Sequence, residues 1–132
     1  MDKQTAELLQ GSLDKAREKL RVAELLLRDK LYDDAVSRAY YAAFHAAQAT
    51  LLTEGLEAAT HQGLINLFGL HLVKSGKFEK KFGRFLANLK DERERSDYEI
   101  YSTIDLATAE HAIKEAQEFV AAAEQYVRRC LA

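Results

Sequence analysis

No proline interrupts this 132-residue chain. Proline breaks helices because it lacks the amide donor and clashes with the preceding turn. Its absence, beside abundant Ala, Leu, Glu, Lys and Arg, directs the chain toward long helices. The apolar spacing agrees. Ala6, Leu9, Leu13, Ala16, Leu20, Ala23 and Leu27 recur three and four apart, one stripe of a helix from about Gln4 to Arg28. Lys15, Arg17, Glu18, Lys19 and Arg21 cover its other side, and Gly11-Ser12 is expected to bend or fray its beginning.

A second helix is predicted from about Asp33 to Thr53, ending before Gly55. Ala35 to Leu52 is apolar nearly all round, the pattern of a helix buried on more than one face. In so small a bundle the extra face is expected to meet a second copy of the chain. Ala39, Ala42, Ala43, Ala46, Ala47 and Ala49 permit that close approach. Thr60 is a good N-cap for a third helix, His61 to about Lys74, with Leu64, Leu67, Phe68 and Leu72 inward and Ser75-Gly76 as its stop. A fourth helix, about Phe78 to Glu94, turns Phe78, Phe82, Phe85, Leu86 and Leu89 inward. Asp97 to Tyr101 reads as a helix end or short connection. Ser102 with Asp105 reads as a capping box for the last helix, which runs to about Arg129. Ala109, Ala112, Ala116, Phe119, Ala123, Tyr126 and Cys130 form its seam, so the first and last helices are expected to pair along their length. The prediction is an all-α, up-and-down bundle of about five helices, one domain over residues 1–132.

Composition removes several classes of function. A formal net charge of -2 supplies no global cationic field for duplex DNA, although a local basic patch is still allowed. The single Cys130 excludes an intramolecular disulfide and a multi-cysteine metal site, and points to a reducing cytoplasm. Met1-Asp2-Lys3-Gln4 leads into no apolar run, so no signal peptide is expected, and no stretch has the length of a membrane span. His61, His71 and His111 give no ligand pattern, and no glycine-rich phosphate loop or Ser/His/Asp triad is evident. Neither metal nor cofactor is expected.

Two constellations remain. Lys90 to Glu99 is dense in ionisable groups, which is either a solvated helix end or a ligand site. Its mixture of types favours a ligand. Arginine binds phosphate through a planar fork, aspartate orients that fork or accepts a proton, and tyrosine stacks on a base or donates a hydrogen bond. Arg38, Tyr41, His45 and Gln48, spaced three, four and three apart, share one face of the second helix. A buried arginine needs a partner. Arg38 is therefore expected to meet Asp33, Asp34 or another acid, or to line a wet cleft. His45 reads as a satisfied interface histidine or as part of the wall facing Arg93.

Ser37-Arg38-Ala39-Tyr40-Tyr41-Ala42-Ala43-Phe44-His45-Ala46-Ala47-Gln48 closely resembles the second helix of small, stand-alone HEPN proteins of bacteria and archaea. His61-Gln62-Gly63-Leu64-Ile65-Asn66-Leu67-Phe68-Gly69 resembles their next segment, and Arg93 followed by Asp97-Tyr98 resembles their arginine-to-Asp-Tyr signature. The resemblance implies a homodimer with a polar cleft across its interface. It implies either a metal-independent ribonuclease or a relative of one, accompanied by a minimal nucleotidyltransferase in a toxin–antitoxin pair. Family members carry a histidine four to six residues after the arginine; here the fifth residue on is Tyr98. A tyrosine with the ordinary pKa of about 10 is a poor proton acceptor near neutrality. In some pairs the nucleotidyltransferase adenylylates a tyrosine just beyond that histidine. Ile100 stands at the corresponding place, with Tyr101 one step away.

Three functions follow as expectations. The leading one is a nucleotide- or RNA-binding homodimer beside a nucleotidyltransferase. In it Arg93 contacts phosphate, Asp97 orients it or Arg95, Tyr98 stacks on the ligand, and Arg38, Tyr41 and His45 form the opposite wall. The second is an active ribonuclease toxin using Tyr98 or His45 in place of the missing histidine. The third is a docking module with no ligand.

Overall fold

The computed structural model describes residues 1–98, 100–101 and 104–132. Five α-helices follow one another: α1 Lys3–Arg28, α2 Tyr32–Leu52, α3 His61–Phe68, α4 Lys80–Tyr98 and α5 Leu106–Leu131. Among the described residues there is no strand.

Local chemistry sets the ends. The Asp2 carboxylate accepts the Thr5 amide at 2.7 Å and opens α1, which runs through Gly11-Ser12 without fraying. Lys30 takes a positive φ of 63° in the tight turn to α2, where the Leu31 amide returns to the Leu26 carbonyl at 2.9 Å. Thr60 caps α3 as predicted, its hydroxyl accepting the Gly63 amide at 2.9 Å. Beyond Phe68 the helix continues as one π-helical turn, Gly69–Val73, and then breaks at Gly76, whose φ is 84°.

The fourth helix starts later and ends later than the spacing suggests. Phe78 precedes α4 as a buried residue of the connection, its amide bonded to the Leu72 carbonyl at 2.8 Å. At the other end Asp97 and Tyr98 belong to the last turn of α4. Asp105 caps α5, accepting the Thr108 amide at 2.8 Å. Ser102 of the expected capping box, and Glu99 of the charged run, lie outside the described residues.

α2 is the centre of the bundle, with α1, α3, α4 and α5 packed around it. This corrects two expectations. α1 lies chiefly along α2, touching α5 through pairs such as Arg17–Glu124, because an all-round apolar α2 takes up both seams. The six alanines Ala39, Ala42, Ala43, Ala46, Ala47 and Ala49 are already fully buried by the chain's own helices, so they are not a surface for a second copy. Cys130, expected in the α5 seam, is exposed.

One continuous core joins the five helices, from Ala16 on α1 through Tyr40, Leu64 and Leu86 to Phe119. Phe119 meets Phe68 at 5.2 Å and Phe82 at 6.0 Å between ring centroids, locking α3 and α4 onto α5. A smaller cluster of Leu9, Leu13, Ala49 and Val127 closes the end where α1 begins. No helix of the described residues is long and apolar enough to cross a membrane.

Candidate functional site

Arg93 sits on α4 where that helix passes α2. One guanidinium nitrogen, Nη1, donates to the Tyr41 hydroxyl at 3.2 Å and to the Asp97 carboxylate at 3.1 Å. The guanidinium carbon lies 5.2 Å from the Tyr40 ring centre and 5.5 Å from that of Tyr41. The Arg93 side chain is only 15% exposed, and its Nε is buried without a partner. A buried donor left open raises the energy of the free protein and lowers the relative cost of binding an acceptor.

The same two tyrosines hold a histidine. His61, the first residue of α3, places Nδ1 2.7 Å from the Tyr40 hydroxyl. Its ring stacks on Phe44 at 4.5 Å, and lies 5.6 Å from Tyr40 and 5.9 Å from Tyr41. Burial, and then the positive charges of Arg93 and Lys90, push the His61 pKa below the ordinary histidine value, so the neutral imidazole is favoured near pH 7. Burial pushes the Tyr40 phenol up to about 12, so it stays protonated.

The sequence-predicted residues divide. Asp97 and Tyr41 meet Arg93. His45 does not; it bonds Gln48 at 3.0 Å and lines a shallow hollow with Lys15 of α1. Burial lowers its pKa. Arg38, expected to meet an acid or to line a wet cleft, is exposed and has no ion pair among the described residues. Its expense therefore never arises, since water solvates the guanidinium. Tyr98 is 79% exposed and, with Arg95, borders an open depression beside Asp91 and Glu94. Tyr101 is exposed beyond α4.

Tyr40, Phe44 and His61 were not singled out for this site by the sequence. Helical spacing orders residues within one helix and says nothing of which helix returns to cover it. The one available signal was His61 directly behind the Thr60 cap, which fixes the imidazole at a helix start. Among the described residues no cluster of His, Cys, Asp or Glu is arranged to hold a metal ion.

An all-helical bundle whose central helix presents paired tyrosines to an arginine on the fourth helix defines a recognisable class. The model of the HEPN domain matches residues 9–126, and the chain belongs to the HEPN family. It is 40% identical over 129 residues to a Methanocaldococcus jannaschii protein named "Putative toxin", covering 98% of this chain and 90% of that one. It is 34% identical over 113 residues to a Thermotoga maritima UPF0332 protein, covering 86% of each. A crystal structure from Thermus thermophilus superposes with a TM-score of 0.77 at 22% identity, covering 89% of this chain and 97% of that one, and shares the fold.

Proposed function

We propose that this chain is a toxin-type HEPN protein that binds the phosphates of RNA or of a nucleotide at Arg93. It acts as a cytoplasmic homodimer beside a minimal nucleotidyltransferase partner. The observation that carries the reading is the state of Arg93: mostly buried on two tyrosine rings, held on one nitrogen by Tyr41 and Asp97, and still partly exposed. Tyr41 and Asp97 both engage a single guanidinium nitrogen, and the side chain keeps 15% of its surface exposed, where an anion can approach the charge. Tyr98 and Arg95 at the exposed rim supply a ring to stack on a base and a second cation. Exposed Tyr101 is the acceptor for adenylylation by the partner. The name of the M. jannaschii relative supports the toxin reading.

The test is fluorescence anisotropy with a labelled single-stranded RNA at fixed salt. Arg93→Ala should weaken binding by about tenfold to a hundredfold, the loss of a charge-assisted contact of roughly 1.5–3 kcal/mol. Unchanged affinity would remove Arg93 from the site.

A further inference from the structure

We infer that His61 is the catalytic base of a metal-independent RNA cleavage carried out at the Arg93 site. The inference rests on reading Arg93 as the phosphate contact. It moves the proton-transfer role from the segment after Arg93 to the start of α3.

The geometry supplies what such a base needs. His61 and Arg93 lie against the same two rings, Tyr40 and Tyr41, so the group that fixes phosphate and the group that takes a proton are neighbours on one aromatic support. The ring is pinned twice, by Tyr40 at Nδ1 and by the face of Phe44. Nε2 has no hydrogen-bond partner among the described residues. In the base form the ring proton sits on Nδ1 and donates to the Tyr40 hydroxyl oxygen, leaving the lone pair on Nε2. The other three histidines do not qualify. His45 is engaged with Gln48 toward α1, His71 lies in the π-helical turn, and His111 stands 3.7 Å from Glu115 on α5. None of them contacts either tyrosine that holds Arg93, except His45's neighbour Phe44 at one remove.

Base and cation together suit RNA, because its 2′-hydroxyl is a nucleophile already placed beside the phosphate. His61 Nε2 takes the 2′-proton as the 2′-oxygen forms a bond to phosphorus. The bond from phosphorus to the 5′-oxygen breaks, and its electron pair leaves with that oxygen. Water protonates the 5′-oxygen, and the proton on His61 returns to the hydroxide so formed. The products are a 2′,3′-cyclic phosphate and a 5′-hydroxyl, with no net change in protons. Arg93 balances charge on the phosphoryl oxygens as the phosphorus becomes five-coordinate.

The experiment incubates the full chain with labelled single-stranded RNA in EDTA, and follows cutting and anisotropy in parallel. Wild type should cut RNA and leave an oligonucleotide with 2′-deoxyribose throughout intact. His61→Gln should cut about 10²–10⁴-fold more slowly, the usual worth of a general base, with affinity changed less than about threefold, while His111→Gln cuts as wild type. Arg93→Ala should lose both cutting and binding. Cutting by His61→Gln at the wild-type rate overturns the inference. So does a wild type that binds RNA through Arg93 and never cuts it, an outcome that leaves the binding reading intact; loss of neither property in Arg93→Ala removes that reading instead. Circular dichroism checks the fold of each variant. Should His61→Gln fail to fold, the wild-type pH–rate profile decides. The groups facing His61 are Arg93, Lys90 and Glu94 from α4 and Tyr40, Tyr41 and His45 from α2. Their balance places the acid limb below about 6.5, the ordinary histidine value; a rate independent of pH from about 5 to 8 overturns the assignment.

Discussion

Replacing Tyr41 by phenylalanine keeps the ring under Arg93 and removes only the hydroxyl that accepts from Nη1. A hydrogen bond to a charged group contributes roughly 1.5–3 kcal/mol. Arg93 retains some exposure and keeps Asp97, so the lower figure, about 1.5 kcal/mol, is the one to expect. With a urea slope of about 1–3 kcal/mol/M, the unfolding midpoint should fall by about 0.5–1.5 M. The domain should still fold, since total stability is of order 5–15 kcal/mol. The decisive measurement is the double-mutant cycle of Tyr41→Phe with Arg93→Met, which retains most of the apolar stem. If the hydroxyl acts through Arg93, the two losses overlap by about 1 kcal/mol. In RNA binding, Tyr41→Phe should cost about three- to tenfold in the Arg93 background and nothing further in Arg93→Met. Additivity of the two substitutions within about 0.3 kcal/mol would refute the claim that Tyr41 holds the guanidinium.

Further outcomes follow from other parts of the bundle. Glu115 on α5 is 6% exposed with Oε1 unpartnered, and Glu92 on α4 is likewise partnerless at Oε2. Burial raises both carboxyl pKa values, with repulsion from Glu115 adding to the rise at Glu92. The folded chain therefore holds these protons more tightly than the unfolded chain, so their contribution to stability is present at low pH and lost as pH rises above about 4.5 through the folded values. Glu115→Gln should raise the melting temperature at pH 7 and flatten this pH dependence in calorimetry. Gly63→Ala should fail to stabilise α3, because a Cβ there meets the Thr60 hydroxyl at 2.9 Å and displaces the cap; a net loss of about 0.5–2 kcal/mol is expected in urea unfolding. Ala46→Leu at the fully buried centre of α2 should destabilise by about 1–3 kcal/mol through overpacking, read in the same assay.

The course of α1, α2 and α5 was legible because each repeats its apolar residues over five or more turns, and the Thr60 cap fixed the start of α3 from one hydroxyl. What the spacing did not convey is which helix is the hub. An alanine-rich helix exposes the same composition whether its small faces meet a second chain or neighbours in its own chain; the structure buries Ala39, Ala42, Ala43, Ala46, Ala47 and Ala49 within the chain's own bundle. Arg93, Asp97 and Tyr41 were readable from residue type and helical offset. His61 was not, because its meeting with Tyr40 depends on how residues 53–60 fold α3 back over α2, a long-range event without a local pattern. For Arg38 the sequence left two settings, an acid partner or a wet cleft, because most of its helix is apolar; its own angle on the helix points it to water.

The imidazole and the guanidinium ride on different supports. Arg93 belongs to a 19-residue helix packed along the central α2, whereas His61 begins an arm of only eight residues before the π-helical turn. If His61 and Arg93 act as proposed, an inhibitor that pries up this short arm would withdraw the proton acceptor and leave the anchor for the strand in place. Occupancy would then outlast cutting, and the silenced protein would shelter the very strand it had stopped degrading.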